Sequence, residues 1–177
     1  PIGLDNTMPL DLVTIPCLAD NYAFLLHNAR TKETLLVDAP DAPPIQAVLD
    51  ARGWTLTDIL LTHHHSDHVD GLDPLRGSAR VIGAAADAHR LPPLDLAVGD
   101  GDTVTICGEA AQILDVSGHT MGHIALHFAT SGVLFTADSL MALGCGHLFE
   151  GTPVQMWQSM QKLRSLPDET RVCSGHE

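Results

Sequence analysis

Apolar residues in this chain come in short bursts, most of them too brief for anything but strands. LDLVTI (10–15), YAFLLH (22–27) and TLLVDA (34–39) read as three strands, with NARTKE as a polar turn between the second and third. DAPPIQAVLDARG (41–53) breaks the pattern. It predicts a helix with Asp41 at its cap, prolines in the first turn and Gly53 just past the end. DILLT (58–62) and ARVIGA (79–84) are further strands, and a helix is expected around 84–91. TVTIC (103–107), AQILDV (111–116), HIALHF (123–128) and VLFTA (133–137) continue the strand pattern. From Thr152 the period becomes helical. Met156, Met160 and Leu163 share one face, joined by Trp157, and the methionines are expected to fill gaps in a core. TRVCSG (170–175) is the last strand. Strands grouped towards both ends with helices between them predict an α/β sandwich, two mixed sheets face to face with helices outside.

Polar residues then gather where the strands stop. DILLT is followed by His63, His65, Asp67 and His68, ILDVSG by His119, VLFTA by Asp138, and RVCSG by His176. Open α/β sheets collect their functional groups in the crevice beyond the strand ends, so these side chains are expected to meet. In an extended THHHSDH segment His63, His65 and Asp67 face one way and His64 the other, while His68 needs a local turn to join them. Imidazoles with carboxylates suit zinc, and also iron or manganese. Six or seven candidate ligands exceed one tetrahedral ion, so two divalent metals sharing a carboxylate are expected. A polar loop can also hold several histidines, but it does not explain four strand ends converging in composition. His64 is expected to be structural and His123 to support the site. His27, His89 and His127 are given surface or strand-face roles, and Asp70 and Asp73 the start of the next helix.

Composition sharpens this picture. The chain has 177 residues, 45% of them apolar and 18% charged, which suits one well-buried domain. Its formal charge of -13 argues against nucleic acid and against an anionic membrane as partners. Eleven histidines against nine lysines and arginines is a balance that favours metal. Four scattered cysteines without a C-x-x-C pair point to a reduced, cytoplasmic setting, and Cys145 reads as a small packing residue. No run approaches the roughly 18 apolar residues of a membrane span. At 4% aromatic residues the chain offers no large stacking face for a protein partner. Residues 1–7, ahead of Met8, are set aside as an upstream extension, leaving 8–177 as one catalytic domain.

THHHSDH, SGHTMGH, FTADS and CSGHE, in that order, resemble the metallo-β-lactamase fold, and H-x-H-x-D-H in this context is highly specific. DNYAFLL (20–26) and GCGHLFEGT (144–152) resemble glyoxalase II, the hydroxyacylglutathione hydrolase branch. The resemblance implies a four-layer αββα sandwich that hydrolyses the small-molecule thioester S-D-lactoylglutathione to D-lactate and glutathione. It also implies that His63, His65 and His119 hold one metal, Asp67, His68 and His176 the second, and Asp138 bridges. Zinc is the first expectation, with iron or manganese as alternatives. A hydroxide shared by the metals would attack the carbonyl, since two metals ~3.5–4 Å apart can bring a shared water towards a pKa of ~7. Asp67 would orient that nucleophile, giving Asp67 and Asp138 catalytic roles.

There are departures from the family. His147 stands where Lys or Arg is usual, and Phe149 where Tyr is frequent, both at positions that touch glutathione. Ala137 and Ser139 flank Asp138 in place of Gly and Thr. The family continues into a small helical domain, so the chain is expected to be a fragment. Three other readings compete. One is another hydrolase of the fold, a lactonase or β-lactamase-like enzyme; another is a mononuclear iron persulfide dioxygenase; the last is a metal-binding domain without turnover.

Overall fold

A computed structural model describes residues 10–177; the extension assigned to 1–7 lies outside the described residues. Two sheets organise the chain. The first runs in sequence order through β1 (Asp11–Cys17), β2 (Asn21–His27), β3 (Thr34–Val37), β4 (Asp58–Leu60), β5 (Arg80–Ala84) and β6 (Leu96–Val98). Its first three strands are antiparallel and the rest parallel: α1 (Ala42–Arg52) and the short α2 (Ser66–Val69) and α3 (Leu72–Arg76) supply the crossovers to β4 and β5, and residues 85–95 that to β6. The second sheet holds β7 (Thr103–Ile106), β8 (Glu109–Asp115), β9 (Ile124–Phe128) and β10 (Val133–Ala137) as an antiparallel meander. A small hairpin, β11 (Leu140–Met141) and β12 (Gly144–Cys145), and then α4 (Pro153–Arg164) lead to β13 (Arg171–Ser174), which lies parallel to β10.

The period of two along each strand builds the layers. Phe24, Leu26, Leu35, Val37, Leu60 and Ile82 of the first sheet meet Ile113, Leu126, Phe128 and Phe135 of the second in one buried core. Phe135 is fully buried, its ring 5.5 Å from Phe24 and 6.2 Å from Phe128. The alternate residues Ala23, Leu25, Leu36, Ile59 and Val81 turn outward onto Ile45 and Leu49 of α1 and Leu72 and Leu75 of α3. Leu114, Ala125 and Leu134 turn outward onto Leu163 and Met160 of α4. Three apolar interfaces thus separate four layers, helix, sheet, sheet, helix. No helix among the described residues is long and apolar enough to cross a membrane.

Several expectations need correction. The helix around 84–91 reduces to one 3-10 turn, Ala85–Asp87. Its carboxylate-bearing residue, Asp87, spends both oxygens on Arg90 and His64, and Pro92 and Pro93 follow. Asp41 occupies the N-cap of α1 without a capping bond from its side chain, whereas Gly53 closes that helix at φ 66. Trp157 is 63% exposed, a quarter-turn from the buried Met156, so it does not join the core face. Cys145 is exposed on β12. The strand β6 and the β11–β12 pair, each two or three residues long, go beyond what the pattern predicts.

Thr152 behaves as the pattern requires. Its hydroxyl accepts from the Gln155 amide, and Gln155 Oε1 accepts from the Thr152 amide, closing a capping box ahead of Pro153. Thr152→Ala is expected to lower unfolding free energy by about 1 kcal/mol. Urea denaturation checks this, and a variant as stable as the parent would deny the box its role.

Candidate metal centre

Each candidate ligand stands just beyond a strand, and the backbone explains how it turns inward. After β4 the chain bends at His63, and His65, extended at φ -62 and ψ 141, caps α2. The first turn of α2 is the local turn that His68 requires, closed by its amide on the His65 carbonyl at 2.9 Å. Asp138 follows a register shift between β10 and β13, and Ala137 adopts φ 43, a left-handed conformation uncommon for a residue with a Cβ. The Asp138 amide then donates to His123 Nε2 at 3.2 Å. His176 is tied to the first hairpin by a bridge to Asn21 and by a Tyr22 amide to Gly175 carbonyl bond of 2.8 Å.

Seven side chains from four strand ends come together. His63, His65, His119 and Asp138 present ligand atoms within 4.8 Å of one another, as do Asp67, His68 and His176. Asp138 reaches both groups. Its Oδ2 lies 3.2 Å from His119 Nε2 and 3.3 Å from His176 Nε2, and its Oδ1 lies 3.3 Å from His68 Nε2. That buried Oδ1 has no hydrogen-bond partner in acceptable geometry. Two glycines leave the needed room: a Cβ on Gly146 would collide with the Asp138 carbonyl, and one on Gly175 with Asp138 Oδ1.

The outward ring nitrogens determine what the inward ones can do. Thr62 Oγ1 donates to Asp38 Oδ2 at 2.8 Å, so its oxygen is left to accept from His63 Nδ1 at 3.0 Å. His68 Nδ1 donates to the same Asp38 oxygen at 2.8 Å, and His119 Nδ1 to the His147 carbonyl at 2.6 Å. His176 Nδ1 lies 3.3 Å from Asp20 Oδ1. With their protons committed outward, the Nε2 lone pairs face the crevice. His65 turns Nδ1 inward instead, 3.1 Å from both His63 Nε2 and His119 Nε2. Bare imidazole nitrogens this close repel unless a proton or cation stands between them. The donor set therefore fits divalent cations, with Asp138 able to serve both groups.

The electrostatics agree. Burial and the neighbouring imidazoles lower His63 well below the ordinary range, and burial pushes His123 down to about 3, so both are neutral. Burial would also lower His68, but the Asp138 and Asp38 carboxylates outweigh it and push this imidazole up to about 10. Burial would raise Asp138, yet its contacts with His119, His176 and His68 hold it far below the usual carboxylate range. Without a cation, protons fill the place that one would take.

The remaining histidines separate cleanly. His64 turns away from the cluster onto Asp87 Oδ2 at 3.0 Å, and His123 stacks on His63 at 4.6 Å while holding the Asp138 amide, a supporting position. His27 and His127 are buried on strand faces and His89 is exposed. His147 and Phe149 lie at the rim. Phe149 is 64% exposed and sets its ring 5.5 Å from His65 and 5.3 Å from His119. Asp38, Thr62, Asn21 and Asp20 escaped the sequence reading. Asp38 stands immediately after β3, so the strand-end rule applied there too would have found it. Asn21 Nδ2 donates to Asp67 Oδ2 at 2.9 Å, a contact across 46 residues that no local signal reveals.

Asp38→Ala removes the acceptor that orients His68 directly and His63 through Thr62. Metal affinity is expected to fall about 10- to 100-fold, read by competition with a chromogenic chelator; parental affinity would refute the orienting role. Because His68 is pushed up to about 10 and so holds a second proton in the cation-free chain, loading metal near neutral pH should release it, and affinity should weaken as pH falls. An indicator dye in weak buffer checks this, and loading without acidification would contradict it.

Residues 20–176 match the metallo-beta-lactamase superfamily. Among curated proteins, a hydroxyacylglutathione hydrolase from Ruegeria pomeroyi is 64% identical over 172 residues, 96% of this chain and 68% of that protein. Among solved structures, BLEG-1 B3 metallo-beta-lactamase superposes with a TM-score of 0.87 at 25% identity, covering 94% of this chain and 92% of that one. TTHA1623, solved in a di-iron-bound form, gives a TM-score of 0.77 at 29% identity over 94% of this chain and 92% of that one. Taken with the convergence of histidines and aspartates at the strand ends, these likenesses mean that the chain belongs to the metallo-beta-lactamase superfamily and, within it, to the hydroxyacylglutathione hydrolases, metal-dependent thioester hydrolases.

Proposed function

We propose that the chain hydrolyses S-D-lactoylglutathione to D-lactate and glutathione at a centre of two divalent cations. His63, His65 and His119 would hold one and Asp67, His68 and His176 the other, with Asp138 shared; zinc is the first choice, iron or manganese the alternatives. The reading is carried by one observation: Asp138 lies within 3.3 Å of imidazoles from both ligand groups. When bound, such a pair polarises a carbonyl and makes water nucleophilic near neutral pH.

The chain's own residues do the rest. Asp67 is fixed by Asn21 and is partly exposed, so its carboxylate is placed to orient a nucleophile and hold its proton. Phe149 offers an apolar wall beside His65 and His119 for the acyl group, and His147, its ring 4.6 Å from Phe149, faces the same rim for the glutathione moiety. The thiolate leaving group, with a conjugate acid near a pKa of ~8.5 for a Cys-like thiol, departs without a strong acid. We place the reaction in the cytoplasm, where the four cysteines, all free, stay reduced.

Thiol release from S-D-lactoylglutathione, followed with a chromogenic reagent, tests the reading. Chelation should abolish it and two equivalents of divalent metal restore it. Asp138→Ala should lower both metal content and turnover, by more than the ~100-fold typical of losing an outer orienting group. Full occupancy with parental turnover would discard the shared ligand. The likeness to a B3 metallo-beta-lactamase favours a second reading, β-lactam hydrolysis at the same centre. Turnover of a chromogenic β-lactam with none of the thioester would select it. A single iron per chain with oxygen consumption would select a persulfide dioxygenase instead.

A further inference from the structure

One polar network lies beside the metal-ligand cluster and takes no part in it. Arg90 Nε donates to Asp87 Oδ1 at 2.7 Å, while Nη2 donates to Glu150 Oε2 at 3.1 Å and to the Met121 carbonyl at 3.0 Å. Nη1 donates to Glu150 Oε1, making the pair two-pronged. The Met121 amide donates to Glu150 Oε2 at 2.7 Å. On the far side, Asp87 Oδ2 lies 3.0 Å from His64 Nδ1, and Glu150 Oε1 lies 3.6 Å from His64 Nε2. Gly122, at φ 101, lets Asp87 approach, since a Cβ there would come within 3.0 Å of the Asp87 Cβ.

The Arg90–Glu150 pair lies at the exposed surface but is seated on a buried anchor. The Asp87 side chain is wholly buried, and those of Arg90 and Glu150 are 30% and 25% exposed. The network joins four segments, and three carry the centre: His64 sits between two ligands, Met121 lies two residues past His119, and Glu150 directly follows Phe149. Around Glu150 the rim segment is otherwise docked by main-chain bonds, from the Phe149 amide to the His119 carbonyl at 3.2 Å and from the Gly151 amide to the Gly118 carbonyl at 3.0 Å. The His147 carbonyl in turn receives His119 Nδ1.

We propose that Arg90 and Glu150, seated on Asp87, form a clasp that positions residues 147–150 over the ligand cluster and thereby sets affinity for the thioester. The clasp rests on the hydrolase reading above. Its residues are positioning residues, since they hold Phe149 and His147 in place rather than touching the reacting atoms. A displacement of about 1 Å in such a wall is enough to lower kcat/KM by up to about 100-fold.

The test uses the metal-loaded full chain as Glu150→Gln, Arg90→Ala, Arg90→Lys and the double variant Arg90→Ala/Glu150→Gln. Glu150→Gln and Arg90→Ala should each raise KM for S-D-lactoylglutathione about tenfold or more with kcat within about threefold, the signature of lost uniform binding. At saturating metal the content should stay near the parent, while Arg90→Ala should lower Tm because it leaves the buried Asp87 carboxylate without its guanidinium. Arg90→Lys, which keeps the charge without the fork, should recover part of the loss. The double variant should be no worse than the worse single one, because the two act as a unit. Hydrogen exchange across 144–151 should quicken in the loosened variants while α4 keeps its rate. Parental KM and parental exchange overturn the clasp, and so does a KM change that tracks loss of metal. If the parent chain fails to hydrolyse the thioester, the hydrolase reading falls, and the exchange measurement still decides whether the clasp holds the rim.

Discussion

The chemistry of this site depends on hydrogen bonds made on the far side of the rings. An imidazole offers a lone pair to a cation only if its proton is held elsewhere. Here Asp38 takes the proton of His68 directly and that of His63 through Thr62, while the His147 carbonyl takes that of His119. The arrangement chooses the tautomer and the ring angle together. It also explains why a buried carboxylate, that of Asp38, is placed behind the rings. Asp38 is 2% exposed, and its three contacts use both of its oxygens.

That requirement reaches into the fold. Ligands offered from separate strand ends converge only if both sheets stop on one edge of the sandwich, and the phenylalanines at the middle of the core hold the sheets in that relation. Where the regular strand would aim Asp138 elsewhere, the chain departs from regularity. The left-handed Ala137, the β10–β13 register shift and the crowded glycines 146 and 175 all lie against this one residue. Strained or close-packed backbone gathers at functional positions because the surrounding structure can hold it there.

What could be read from sequence follows from the range of the signal. The longer strands, α1 and α4 are visible because a period of two or 3.6 is written locally, and the seven ligand candidates because they lie in the short segments that follow such strands. The helix expected at 84–91 failed for a tertiary reason: the Asp87 carboxylate is claimed by an arginine and a histidine instead of staying free beside a helix. Trp157 failed because one residue along a helix is a rotation of about 100°, enough to leave the buried face. Partners 46 or 60 residues away, Asn21 for Asp67 and Glu150 for Arg90, leave no mark on local composition.

The cluster also ties folding to occupancy. Gathering imidazoles and carboxylates in a buried space opposes folding unless something positive is shared among them. In the cation-free chain protons take that part, with His68 and His176 holding theirs more tightly than usual. A proton serves one donor pair at a time, whereas a divalent cation satisfies three or four ligands at once, so the folded state gains more from cations than the unfolded chain can. The apolar sandwich therefore supplies the frame against which the cluster's repulsion is held, and metal converts that repulsion into attraction. Stability and catalytic competence thus have the same cause: the inward lone pairs that make the cation-free centre unfavourable are the ones available to bind the metal.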